Sequence, residues 1–385
     1  MTNFSRQFAL KGFAASFLCL ILCGCGSDPA KEYAKGVRAF ENGDYGFAVE
    51  KFRSVIGHSP ENVDALVMLA RSEFAVGAFD KAEEALTKAS ATNPDDIDII
   101  ELSAQIAFYR KDYKGATGYY ARLASCDGFD GETRARGWTG LGVIDFLMIG
   151  LHPDKARFRH ESRVKFLQAI ILDRRNASAR YHLGRLYRDT FQYLEAARDE
   201  FDVFVHLSPV ADERVKKIKN EVLPSLKSEI ARSSAPSSRV DSPGCASFLK
   251  QADAAFRRKN WKSAITSYAK AFKKDPGSFP AAVGLARAYV HSNRSGFERD
   301  EAMKMYLAAC KIRPSAISTY IEAAQFALVS GKPATSVELY SRALAANPAS
   351  KAAVEGLILA LTKTGDAQAA SVYRGYLRTL SNARQ

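Results

Sequence analysis

Small and apolar residues return along the chain at a constant distance, and between returns they keep the three- and four-residue spacing of amphipathic helices. Ala48, Ala82 and Ala116 are separated by 34 residues at each step. An aromatic residue precedes each alanine by three positions, and a large residue follows it by four: Tyr45, Phe79 and Tyr113, then Phe52, Leu86 and Tyr120. Such self-similarity predicts a helical repeat protein rather than a protein built around one core.

Glycine and proline mark where the predicted helices end. Gly43-Asp44-Tyr45 and Gly77-Ala78-Phe79 occupy equivalent positions of the first two repeats, and glycine readily adopts the left-handed conformation that ends a helix. Pro60 and Pro94 lie twelve residues after the first two repeat alanines, and proline cannot continue a helix. Each repeat is therefore predicted to hold two helices joined by a short turn.

This period and these positions resemble the tetratricopeptide repeat over nearly all of the chain beyond its first 24 residues. The resemblance implies an all-α solenoid of about nine helix pairs, in which small residues let the two helices of a pair approach closely. In the first helices of the first three repeats these small residues are Gly36, Ala70 and Ala104. The resemblance also implies a concave face, lined by the first helices, that binds a peptide or a helix of another protein.

Changes in this pattern divide the repeats into two arrays. We expect about five repeats in residues 25–209, a capping helix in residues 210–232 and a linker rich in serine and proline in residues 233–244. About four further repeats follow in residues 245–385. Pro224 lies inside the predicted capping helix and is expected to kink or split it.

Residues 1–24 have the pattern of a lipoprotein signal peptide. A basic start is followed by an apolar run, Phe13 to Leu22, that is too short to span a bilayer. The next residues, Cys23-Gly24-Cys25-Gly26, resemble a bacterial lipobox, which implies cleavage before Cys25 and its acylation. A glycine after the acylated cysteine favours the outer membrane of the cell envelope, with the protein facing the periplasm. An ordinary cleaved signal and an uncleaved anchor are the alternatives.

Charge adds a second set of candidate residues. The 385 residues carry 55 Lys and Arg against 42 Asp and Glu, an excess of +13 that permits an anionic partner without naming one. The excess falls to +11 once the leader, with Arg6 and Lys11 and no acid, is removed. The fourth-repeat cluster comprises Lys155, Arg157, Arg159, Arg163 and Lys165. The sixth-repeat cluster comprises Arg257, Arg258, Lys259 and Lys262. We expect either a solvated face or a patch that binds an anionic glycan, a lipid surface or an acidic protein.

A phenylalanine returns at one position of the first helices. It appears as Phe40, Phe74, Phe108 and Phe146. Packing between repeats is one interpretation, and a hydrophobic ligand groove that also includes Arg71 and Gln105 is the other. The first helices do not carry the Lys, Asn and Arg set with which some tetratricopeptide domains bind a terminal carboxylate.

The chain shows no sign of catalytic chemistry. Six cysteines are too few for a disulfide scaffold, and neither they nor the six histidines have a metal-binding spacing. We therefore expect no enzyme activity, no cofactor and no metal, and the export signal argues against nucleic acid as a partner.

The predicted function is a membrane-anchored scaffold for protein–protein interactions in the bacterial envelope, serving a pilus, a secretion system or the outer membrane. The alternative is a binding module for an anionic envelope glycan or lipid surface.

Overall fold

The computed structural model describes residues 28–233, 243–292 and 296–382. The predicted leader and Cys25 lie outside the described residues, as does the central part of the predicted linker, residues 234–242.

Within those described ranges every regular element is a helix, which confirms the predicted all-α fold. The helices up to residue 151 are α1 (Pro29–Glu41), α2 (Tyr45–His58), α3 (Val63–Ala75), α4 (Phe79–Thr92), α5 (Ile97–Tyr109), α6 (Tyr113–Ser125) and α7 (Gly131–Leu151). Those from residue 155 to the predicted linker are α8 (Lys155–Leu172), α9 (Ala177–Leu186), α10 (Leu194–Leu207), α11 (Glu213–Lys217) and α12 (Leu223–Ser233). The remaining helices are α13 (Pro243–Arg257), α14 (Trp261–Lys274), α15 (Phe279–Ser292), α16 (Gly296–Ile312), α17 (Ile317–Val329), α18 (Pro333–Ala346), α19 (Lys351–Thr364) and α20 (Ala367–Asn382). None of these helices is long and apolar enough to cross a membrane.

Short turns join the two helices of each pair, and the sequence explains their geometry. Gly43 and Gly77 have φ values of 82° and 81°, so each occupies the left-handed region that the glycine pattern predicts. The amide of Asp44 donates to the carbonyl of Ala39 at 2.9 Å, which closes the end of α1. The side chain of Asp44 then accepts a hydrogen bond from the amide of Phe47 and caps α2.

Small residues hold the two helices of a pair together. Ala48, Ala82 and Ala116 are fully buried where the second helix of each pair meets the first. In the first pair, a Cβ atom added at Gly36 would lie 2.8 Å from the ring of Phe52. Only glycine lets α1 and α2 approach this closely, so the small positions of the repeat follow from steric contact.

The chain divides into two compact units, one ending at Ile144 and the other beginning at Asp145. The division falls within α7, whereas the sequence places its boundary between arrays at residues 233–244. The predicted array boundaries stay a prediction, and each compact unit is described by itself below.

The second unit brings together repeats that are far apart in sequence. Its last helix, α20, packs against α8, while α12 packs against α10. A π-helical turn, Ile218–Val222, joins α11 to α12 immediately before Leu223 and Pro224, where the sequence predicts a kink or a break. Repeats on both sides of the predicted linker therefore share one packed core.

Candidate functional site

The repeated phenylalanines lie mainly in packing positions. Phe40, Phe74 and Phe108 of the first unit are half-buried, and Phe40 and Phe74 pack against its main hydrophobic cluster. Each ring also meets the aromatic residue that begins the second helix of its pair; the ring centroids of Phe40 and Tyr45 are 5.2 Å apart. Phe146 is half-buried in the second unit, with the guanidinium of Arg185 5.1 Å from the centre of its ring. These contacts favour the packing interpretation over an open hydrophobic groove.

The polar candidates of the first unit connect successive first helices. Arg71 on α3 forms an ion pair with Asp98 on α5 at 2.7 Å, and Arg136 on α7 forms one with Glu101 on α5 at 3.1 Å. Burial raises the pKa of Glu101, which the Arg136 guanidinium partly offsets. Gln105 is half-buried at the position of α5 that corresponds to Arg71 on α3. A ligand of this face would have to compete with ion pairs that already exist.

Arg163 does not belong to a surface patch, so this part of the fourth-repeat cluster was predicted wrongly. Its side chain is fully buried in the second unit. Its Nε donates to the hydroxyl of Tyr373 at 2.8 Å, and its guanidinium lies 4.9 Å from the centre of the Phe191 ring. The physical reason is the packing of α20 against α8, which covers the side of α8 that carries Arg163.

Most other cations of the fourth-repeat cluster have partners within the second unit. Arg157 donates to Glu161 at 2.8 Å, and Lys165 pairs with Asp145 and more weakly with Glu161. Burial raises the pKa of Asp145 to about 6 despite the attraction of Lys165.

The last two members of this cluster differ in exposure. Arg159 is half-buried, and its guanidinium lies 5.0 Å from the centre of the Phe191 ring. Lys155 is exposed and forms no ion pair with any described residue. The fourth-repeat cluster thus offers one unpaired, exposed cation to a ligand.

The sixth-repeat cluster is different, because all of its members are exposed: Arg257, Arg258, Lys259 and Lys262. None of them pairs with a carboxylate of the described residues. Asp253, the nearest acidic residue before them in the sequence, instead accepts a hydrogen bond from the Tyr268 hydroxyl at 2.5 Å. This part of the second unit therefore presents positive charge to solvent.

The second unit also contains a groove that sequence reasoning missed. It has a volume of about 480 Å³ and lies between α17, α18 and α19. Its lining residues are Gln325, Leu328, Val329, Tyr340, Ala352, Glu355, Gly356 and Leu359. Val329 and Leu359 are 86% and 50% exposed, which is high for large aliphatic side chains. A second depression of about 370 Å³ lies on the other side of Val329, beside Phe326 and Met303.

A signal for this groove was present in the repeat spacing. Gln325 and Leu359 are 34 residues apart, as are Arg71 and Gln105, and all four occupy the same position of a first helix. The last two repeats carry a long aliphatic residue there where earlier repeats carry polar ones. Gly356 gives the groove its depth, because a Cβ at this position would overlap the Tyr340 ring at 2.1 Å.

The buried histidines of the second unit belong to packing. His160 and His182 both have a pKa lowered to about 3, because burial and nearby arginines oppose protonation. The ring of His160 lies 3.1 Å from the Tyr373 hydroxyl and beside Arg163. No group of three or more His, Cys, Asp or Glu side chains among the described residues could hold a metal ion.

Family profiles described as tetratricopeptide repeat match three segments of the chain. One profile matches residues 39–106, and a second matches residues 249–317 and 321–383. Together these segments cover half of the chain, and they include repeats in both compact units. No curated protein shows significant similarity to the chain.

Three solved structures illustrate the chain's structural likenesses. A structure from a functional characterisation of Pseudomonas aeruginosa pilF is 17% identical, with a TM-score of 0.40, over 66% of this chain and 94% of that one. The Cut9–Hcn1 hetero-tetramer of the APC/C gives 14% and 0.38, over 92% of this chain and 80% of that one. MamA from Desulfovibrio magneticus RS-1 gives 16% and 0.38, over 48% and 97%. At these values the likenesses indicate no function for this chain.

Proposed function

Because the chain belongs to the tetratricopeptide-repeat family, whose repeats serve as scaffolds that bind proteins or peptides, we propose that the groove between α17, α18 and α19 holds a segment of a partner protein. The observation that carries this proposal is the exposure of Val329 and Leu359 on the groove. Large aliphatic side chains left in water at a concave surface gain free energy when a partner covers them.

The form of the groove favours a short apolar segment over a large interface. Leu328, Val329 and Leu359 supply aliphatic surface, while Gln325 and Glu355 can hydrogen-bond to a peptide backbone. The groove faces the first helices of the last two repeats, which corresponds to the mode in which a peptide or an amphipathic helix lies in a groove.

The proposal extends to the place where this scaffold works. The lipobox-like residues around Cys25 support acylation there, anchorage in the bacterial envelope and a position facing the periplasm. A lipid-anchored scaffold of this kind would serve the assembly of a pilus, a secretion system or the outer membrane. Replacing Cys25 by serine should abolish acyl labelling and release the protein from membranes; unchanged labelling would refute the anchor.

Crosslinking in cells tests the groove. A photoreactive residue at Gln325 should capture a discrete partner, and Leu359→Glu combined with Val329→Glu should reduce its recovery by about tenfold or more, because two buried aliphatic contacts are replaced by charges. The matched control is Leu307→Glu on α16, a partly exposed leucine outside the groove. Equal recovery with the groove variant and the control would overturn the proposal.

A further inference from the structure

We propose that the exposed face of α14, together with the turn before it, binds the anionic phospholipid headgroups of a membrane surface. This binding surface is separate from the groove of the proposed function. The surface contains seven exposed cations: Arg257, Arg258, Lys259, Lys262, Lys270, Lys273 and Lys274. No acidic residue occurs between Arg257 and Lys274 in the sequence.

The helix places its four lysines, called here the α14 stripe, on the side turned away from the protein. Lys262, Lys270, Lys273 and Lys274 are exposed, whereas Ala264, Tyr268 and Ala271 are buried where α14 packs against α13 and α15. At 1.5 Å per residue the stripe is roughly 18 Å long, enough to contact several headgroups at once.

These cations lack the internal partners that neutralise other basic residues of the chain. None of the seven forms an ion pair with a carboxylate in the described ranges. The Arg257 Nε donates to the backbone carbonyl of Asp253 at 3.3 Å, and the Lys270 ammonium lies 5.9 Å from the centre of the Phe248 ring. Like charges this close repel one another, and an external anionic surface would remove the repulsion.

The composition of the face favours lipid over an acidic protein. Its other exposed positions are Ser263 and Thr266, and it has no exposed aromatic or aliphatic anchor of the kind that carries protein interfaces. Lysine is depleted at the cores of such interfaces. Flexible ammonium groups suit mobile phosphate headgroups, because each can find a partner without fixed geometry.

Vesicle binding by the full chain tests this assignment. We compare vesicles of phosphatidylcholine alone with vesicles containing about one third phosphatidylglycerol, and take the ratio of the two affinities so that any contribution of the apolar leader is the same in both. The test variant replaces the α14 stripe by glutamine at all four positions. The control variant makes the same replacement at four exposed lysines elsewhere, Lys81, Lys114, Lys311 and Lys363, and so has the same net charge.

The wild type should prefer anionic vesicles, and the test variant should lose about tenfold or more of that preference while the control keeps most of it. The preference should also disappear at high salt, because the contact is electrostatic. Equal loss in the test and control variants would overturn the assignment to α14. Binding to a soluble polyanion without any vesicle preference would overturn lipid as the ligand. Leu359→Glu should leave vesicle binding unchanged, which separates this proposal from the groove.

Discussion

The two basic clusters look alike in sequence and differ completely in structure. In the fourth-repeat cluster, Glu161 lies one helical turn from both Arg157 and Lys165, and Asp145 on α7 pairs with Lys165. The sixth-repeat cluster has no acidic residue within a turn on its exposed face. Local acids and the packing of a distant helix therefore decide whether a basic run becomes part of the fold or a charged surface; the number of cations does not.

Removing the buried member of the fourth-repeat cluster should have the largest effect on stability. Arg163→Ala should lower the free energy of unfolding of the second unit by about 3 kcal/mol, because it leaves a cavity and removes the donor to the Tyr373 hydroxyl. Urea denaturation, followed by Trp261 fluorescence in a Trp138→Phe background, measures this loss.

Arg163→Met is the matched control for the charge. Methionine keeps most of the buried volume, and among the described residues no carboxylate pairs with Arg163, so the loss should be less than half of that for alanine. A loss below about 0.5 kcal/mol for Arg163→Ala would contradict the buried position and return Arg163 to the surface.

The repeat pattern explains which parts of this comparison were predictable. The buried alanines at Ala48 and Ala82 and the left-handed turn at Gly43 follow from the period, because contacts within a repeat and between neighbouring repeats return at fixed spacing. The burial of Arg163 depends on Tyr373, which lies 210 residues away. A one-dimensional period contains no information about contacts between repeats so far apart.

The candidate groove stands between these two cases. Extending the position of Arg71 and Gln105 by the same 34-residue step within the last two repeats leads to Gln325 and Leu359. Which repeats leave this position open to solvent, as at Leu359, depends on the side chains that neighbouring helices place beside it. In the first unit, Asp98 occupies Arg71.

Acid should weaken the packing around the fourth-repeat cluster by an intermediate amount. The pKa of His160 is lowered to about 3 in the folded protein, below its ordinary value, so the unfolded chain binds a proton that the folded one rejects. Stability from His160 is thus complete above about pH 6.5 and is lost as the pH falls toward 3. Burial beside Arg159 and Arg163 is the cause, and Tyr373 offers no negative charge.

His160→Gln isolates this effect. Between about pH 7.5 and about pH 5, the wild-type second unit should lose about 2 kcal/mol more stability than the variant does. Asp145, whose raised pKa acts in the opposite direction, is present in both proteins and cancels in the difference. Urea midpoints at the two pH values give the result, and an equal loss in both proteins would show that His160 is solvated.

The smallest effect on stability is expected for the cations that matter most for binding. Replacing the α14 stripe, Lys262, Lys270, Lys273 and Lys274, by glutamine should change the free energy of unfolding by no more than about 0.5 kcal/mol, since none of these side chains has an ion pair to lose. At low salt the variant should be slightly more stable than the wild type, because repulsion among the lysines is removed, and high salt should erase the difference. Urea midpoints at low and high salt measure both terms. A destabilised variant would mean that these lysines hold the fold together as Arg163 does, and the contrast between the two basic clusters would fail.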